Sequence, residues 1–281
     1  MTTESYKIKT ENYTFSLTIS KNLGTHTISI GGEKQGCVNV SVSTPDSIAV
    51  QRGFHKINIA TIPILEWNSE CALDKSLLKG AGTIHMIKTI LSEVKKRYPY
   101  VELFTLTDNS HVKCTNGKEI PLLVLSLIEY KMSWYEKHFN ARITDTNLHE
   151  KYTKGKEMLN DPYIKIPFDN FRKSIEPYTN KGNIESLEKY YQSETYYDFF
   201  GNILKDKGKF DTCNHIVDWI DIFIAELFRM NPNNVEWAIS NKYIEEIPVE
   251  ITISKNIFTH NGGYTRKNIK YGRVNISEDL R

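Results

Sequence analysis

The sequence lacks most of the features that would place it quickly. No apolar run approaches the roughly eighteen residues that a membrane-spanning helix needs. The opening MTTESYKIKTENY carries no apolar segment of the kind found in a secretion leader, so no leader and no membrane association are expected. Charge of one sign is not in excess either: 36 Lys+Arg stand against 34 Asp+Glu, which leaves +2. That balance gives no general pull toward nucleic acid or an anionic surface. Only four cysteines occur, Cys37, Cys71, Cys114 and Cys213, far apart and with no C-x-x-C pair. His111-x-x-Cys114 is half of a zinc spacing without a second half, so no metal is expected. The simplest expectation is four free thiols in a reducing, cytoplasmic setting. No G-x-S-x-G is present, which argues against an α/β-hydrolase. Without a leader, the three N-x-S/T triplets at Asn12, Asn39 and Asn275 read as chance.

What is present is ordinary globular material, 40% hydrophobic and 25% charged over 281 residues. The first third reads as strands. Tyr13, Phe15, Leu17 and Ile19 alternate with polar residues, as on a half-buried strand. Ile28 and Ile30, then Val38, Val40 and Val42, do the same on either side of Gly31-Gly32, which predicts a hairpin over 25–43. KINIATIPILEW predicts a further strand, with Pro63 removing one backbone donor and implying an edge or a bulge.

Next, LLKGAGTIHMIKTIL sets two glycines in front of a helical period: Ile84, Ile87, Leu91, Val94 and Tyr98 share one face. Thr83 is the expected cap and Pro99 the stop. VELFTLTD predicts a strand, LLVLSL a buried strand or helix, EYKMSWYEKHF a helix and ARI another strand. From about residue 146 helical patterns dominate, ending in HIVDWIDIFIAELFRM. PVEITIS returns to strand. The expected organisation is a strand-rich domain over 1–145, a helical unit over 146–247, and a strand with a polar tail over 248–281.

A helix start that follows glycines exposes amide N–H groups to an anion. The Walker spacing is absent, and His85 occupies the third glycine position of a dinucleotide fingerprint. Gly80-Ala81-Gly82 instead resembles the Q/R-x-x-G-x-G/A loop of GNAT-type N-acetyltransferases. Tyr135-Glu136-Lys137-His138-Phe139 resembles the later Y-x-K-x-G-F helix of that family. Leu77 stands at the Q/R position, and His138 stands before Phe139 where the family has its glycine, with one residue fewer after the Lys. The glycine loop together with the helix of SWYEKHFNA also looks similar to uncharacterised GNAT-like proteins of large DNA viruses.

The resemblance covers about a third of the chain and implies an α+β fold with a mixed, mostly antiparallel sheet beside a helical C-terminal unit. It further implies acetyl-CoA or another acyl-CoA held by Lys79, Gly80, Ala81, Gly82 and Thr83, with Tyr135 as the acid toward the departing thiolate. By its place at a strand end, Glu66 is the candidate base for an amine acceptor, whose pKa of about 10.4 demands one. Two functions stay open: an acyl-CoA-dependent N-acyltransferase, and a non-catalytic relative acting as a viral structural or interaction protein through the helical half, in the cytoplasm or a virion. The tail TRKNIKYGR sets Arg266, Lys267, Lys270 and Arg273 beside Tyr271 and the preceding Tyr264 in a way that suits single-stranded nucleic acid, a less favoured role.

Overall fold

The computed structural model describes residues 1–33 and 36–257; of Phe210 and residues 254–257 only the backbone is described. The chain is α+β and divides into two units, one of Met1–Leu106 with the segment from Ile239 onward, the other of Thr107–Ala238. The borders fall there and not at residue 146, where the texture of the sequence changes.

The first unit is built on a sheet whose strands are β1 (Thr2–Lys9), β2 (Thr14–Asn22), β3 (Thr25–Gly31), β4 (Gly36–Ser43), β5 (Ile59–Leu65), β6 (Leu103–Asp108, completed in the second unit) and β11 (Glu250–Ile257). Their order is β11-β1-β2-β3-β4-β5-β6. Every pairing up to β4–β5 is antiparallel, and β5 with β6 is parallel. The period-2 stretches predicted these strands because alternation buries one face: Phe15, Leu17, Ile19, Ile28, Ile30, Val38, Val40 and Val42 are all buried. β1 has weaker alternation and was not foreseen.

Pro63 sits in a bulge. Asn39 pairs with Ile64 and Ser41 with Thr61, so two β5 residues oppose Val40 alone. A short helix α1 (Ile48–Gln51) lies in the β4–β5 connection, and α2 (Ala81–Arg97) joins β5 to β6. Met86, Ile87, Ile90, Leu91 and Val94 of α2 are fully buried, and the helix packs over β3 and β4. Lys95, Lys96 and Arg97 lie in its last turn, where the helix dipole favours cations.

The second unit is mainly helical. It holds the hairpin β7 (His111–Lys113) and β8 (Glu119–Pro121), the helices α3 (Leu122–Tyr130) and α4 (Trp134–Phe139), and β9 (Arg142–Ile143), which pairs antiparallel with β10 (Val235–Ser240). Between these strands run α5 (Thr146–Asn160), α6 (Phe168–Ile175), α7 (Lys181–Tyr191), α8 (Tyr196–Ile216) and α9 (Ile220–Phe228).

LLVLSL is thus a helix, and the stretch after it breaks at Lys131, whose φ of 62° ends α3. Asp145, Asn180 and Thr195 cap α5, α7 and α8 with their side chains, so these starts are encoded locally. The expected long last helix is two. The chain turns at Val217–Trp219, and the buried face of α9 is Ile220, Ile224 and Phe228. Phe171, Tyr191, Tyr196, Phe199, Phe200, Trp219 and Phe223 form one aromatic cluster.

The expectation of free thiols is overturned. Cys37 is bonded to Cys71 and Cys114 to Cys213, each pair within one unit. Linear spacings of 34 and 99 residues carry no sign of this; the pairs exist because the fold brings their Cα atoms to 6.0 and 5.5 Å.

Candidate functional site

The glycine loop is the first unit's candidate. β5 and β6 pair only over Ile59–Thr61 and Leu103–Thr105. Beyond Thr61, at the bulge, β5 runs on to Leu65 without that partner. The connection from β5 to α2 is fixed by the Cys37–Cys71 bridge, by the Trp67 indole N–H donating to the Leu77 carbonyl at 3.2 Å, and by the Leu77 N–H donating to Ser69 at 2.9 Å.

The helix then starts at Ala81 with Gly80 as its cap, not at Thr83. Gly80 has φ +81°, which disfavours any side chain. Its carbonyl accepts the Ile84 N–H at 2.9 Å. No side chain caps the helix, and among the described residues the amides of Ala81, Gly82 and Thr83 have no acceptor. Those three N–H groups, with the positive end of the helix dipole behind them, suit an anion. Lys79 places its ammonium 5.3 Å from the Trp67 ring centre.

Gly82 has a second role. A Cβ there would lie 3.0 Å from Leu77 Cγ and Cδ1 and 3.1 Å from the Tyr13 hydroxyl. Leu77, standing where the family's loop carries a polar residue, is buried and seated on the glycine. Thr83 is also buried. Glu66 follows β5, is exposed, and uses its N–H to donate to the Cys37 carbonyl at 2.8 Å.

Tyr135 belongs to the second unit, on α4. Ser133 caps α4 by accepting the Glu136 N–H at 2.9 Å. The Tyr135 side chain is turned inward and is 2% exposed. Its ring meets Trp134 and Trp237. Its hydroxyl lies 3.3 Å from Ser110 Oγ and 3.4 Å from Asp108 Oδ1, which also accepts the Ser110 N–H at 2.9 Å. Burial first, and the Asp108 charge second, push the phenol far above its ordinary range. Burial likewise raises Asp108. Asp108 and Ser110 were not singled out from sequence, where TLTDNS reads as a strand end and a turn.

His111 is exposed and bonds Asn109 O through Nδ1 at 2.9 Å. Cys114 is committed to its disulfide, so the pair His111/Cys114 has no thiolate to offer. Among the described residues no group of three His, Cys, Asp or Glu side chains is placed to hold a metal ion.

Another polar centre ties α4 to α5. The Tyr152 hydroxyl accepts the Ser133 N–H at 2.8 Å and donates to Glu136 Oε2 at 2.6 Å, while Lys156 binds Glu136 Oε1 at 2.8 Å. A groove of about 420 Å³ lies beside Ile166, Phe168 and Tyr191. Lys165 spends its charge there on the Tyr191 and Ser193 carbonyls at the end of α7. These are structural roles: a brace and a helix terminator. The stretch TRKNIKYGR lies outside the described residues. No helix of the described residues is long and apolar enough to cross a membrane. No protein-family profile, curated protein or solved structure matches the chain.

Proposed function

We propose that the chain is an acyl-CoA-dependent N-acyltransferase of GNAT type, taking acetyl-CoA or another acyl-CoA and an amine acceptor. One observation carries this reading: the parallel β5–α2–β6 unit separates after Thr61, and α2 starts at Gly80 with three unpartnered amides. A pyrophosphate would accept hydrogen bonds from Ala81, Gly82 and Thr83, and Lys79 supplies a nearby cation. In the reaction the acceptor nitrogen bonds the acyl carbon, the C–S bond breaks, and the thiolate takes up a proton. Glu66, exposed beyond β5, is the candidate to remove the proton from the amine.

The role of Tyr135 as acid comes from the resemblance alone. A buried phenol raised this far holds its proton against a thiolate of ordinary pKa. That same observation, with Leu77 seated on Gly82, favours the second reading: a non-catalytic relative that serves as a structural or interaction protein, viral if the resemblance extends to source. The two disulfides favour an oxidising setting for either reading over the reducing cytoplasm.

Thermal unfolding with acetyl-CoA separates the readings. A cofactor at about a hundred times its Kd stabilises the fold by about 2.7 kcal/mol, a readily measured shift. No shift at millimolar acetyl-CoA removes the transferase reading and leaves the second. If transfer is observed, Tyr135→Phe with unchanged turnover takes Tyr135 out of the chemistry.

A further inference from the structure

The start of α2 holds buried hydroxyl groups that the fold does not use. Tyr13, in the turn between β1 and β2, and Thr83, in the first turn of the helix, are each 7% exposed. Tyr13 Oη and Thr83 Oγ1 hydrogen-bond no described residue, yet neither oxygen is sealed from solvent. A helical threonine can return its hydroxyl to the carbonyl four residues back, as Thr89 does to His85 at 2.8 Å. Thr83 forms no such bond. Hydroxyls in side chains buried this far normally have a partner.

The Tyr13 side chain is held in place. The Thr10 N–H and hydroxyl donate to the Tyr13 carbonyl at 2.8 and 2.9 Å, and the Tyr13 N–H donates to Thr10 Oγ1 at 3.0 Å. His85, one turn along α2, reaches Thr10 Oγ1 with Nε2 at 2.8 Å, and its ring centre lies 5.8 Å from that of Tyr13. The turn is thus latched to the helix. A Cβ on Gly82 would lie 3.1 Å from the Tyr13 hydroxyl. Cα–Cβ bonds in a helix tilt toward its N-terminus, so the hydroxyl stands on the side to which the free amides of Ala81, Gly82 and Thr83 point.

The charges at this end offset one another. Lys75 lies 4.9 Å from the Tyr13 ring centre and Lys79 lies over Trp67. Asp74, which accepts the Thr14 N–H and hydroxyl at 3.0 and 3.2 Å, faces Lys75; Glu11 lies near His85; Glu66 and Glu70 are exposed on the β5–α2 connection. The pull on an anion is therefore that of oriented N–H and O–H donors at hydrogen-bond range, and not of net charge.

We propose that Tyr13 is a phosphate ligand at the start of α2: its hydroxyl donates to an oxygen of the diphosphate that the Ala81, Gly82 and Thr83 amides hold. This role rests on the reading of the Gly80 loop as the cofactor's diphosphate site, and it adds a donor from outside that loop. The Tyr13 hydroxyl then serves the ligand and not the fold.

The test compares Tyr13→Phe with the parent chain by calorimetric titration with acetyl-CoA and with inorganic diphosphate at fixed ionic strength, and by thermal unfolding without ligand. Removing a hydroxyl that no residue uses should leave the unliganded unfolding temperature equal or raise it. The same change should weaken binding of both probes about ten-fold or more, as for a lost hydrogen bond to a charged group. Equal affinity in parent and variant overturns the role of Tyr13; the transferase reading survives that result wherever acetyl-CoA binds. A clear loss of unliganded stability also overturns the role, because the hydroxyl then serves the fold. Tyr13-dependent binding of diphosphate without binding of acetyl-CoA supports the site and removes the transferase reading. Binding of neither probe removes both.

Discussion

Leu77 rests on Gly82, with the space for a Cβ on the glycine already bounded at 3.0 Å by the leucine and at 3.1 Å by the Tyr13 hydroxyl. Gly82, one of the three residues with a free amide at the start of α2, therefore also packs the loop in front of it. Gly82→Ala is expected to destabilise by about 1 kcal/mol, the cost of displacing Leu77 exceeding the gain in helix propensity. Leu77→Ala should cost about 2–5 kcal/mol. In urea unfolding the double variant should be less destabilised than the sum, because the new methyl partly fills the vacated space. Additive losses would show that the two residues do not share that space.

A tighter contact holds the second unit. A Cβ on Gly155 of α5 would come within 2.2 Å of the Phe228 ring on α9. Gly155→Ala should cost more than about 3 kcal/mol or prevent folding, since a buried ring has nowhere to go. Adding Phe228→Leu should restore part of the loss. Soluble expression and thermal unfolding of the single and double variants give the answer; a neutral Gly155→Ala would mean that the helices do not approach this closely.

Asp108 sets a pH dependence. Burial raises its folded pKa, so its charged form is disfavoured in the folded state. The stability it contributes is complete below the unfolded value of about 3.9 and is lost as pH rises through the folded value. Asp108→Asn should flatten that part of the stability–pH profile measured by urea unfolding. A profile of the same shape in parent and variant would remove Asp108 as its source.

The disulfides make a direct prediction. Denatured, unreduced protein should titrate no thiol, and the intact chain should lose about 2–5 kcal/mol for each bridge removed by Cys→Ser exchange at both ends. Four reactive thiols under non-reducing conditions would restore the original expectation from sequence.

The elements themselves were largely legible. Alternation from Tyr13 to Val42 and the helical face from Ile84 to Tyr98 are local consequences of periods 2 and 3.6, and one-sided burial enforces both. Pro63 correctly marked a bulge. Readings that needed partners fared differently. HIVDWIDIFIAELFRM is apolar enough to be a single helix, and tertiary packing of Trp219 in the aromatic cluster goes with a turn there instead. In the first unit's glycine loop the small residues at 80–82 were legible and the Leu77 seat was not; in the second unit the Asp108–Ser110–Tyr135 centre was not. The first depends on a side chain five residues upstream folding back, and the second on residues 25 and 27 positions apart meeting in the interior.

By itself the sequence determined the α+β class, the placement of most strands and helices, and the glycine entry to α2, because each follows from neighbours in the chain. Only the tertiary structure decided that the cysteines are paired, that Tyr135 is buried against Asp108, and that the Tyr13 hydroxyl meets the start of α2. These facts depend on which distant segments pack together, and long-range burial and hydrogen bonding, not local periodicity, select those neighbours.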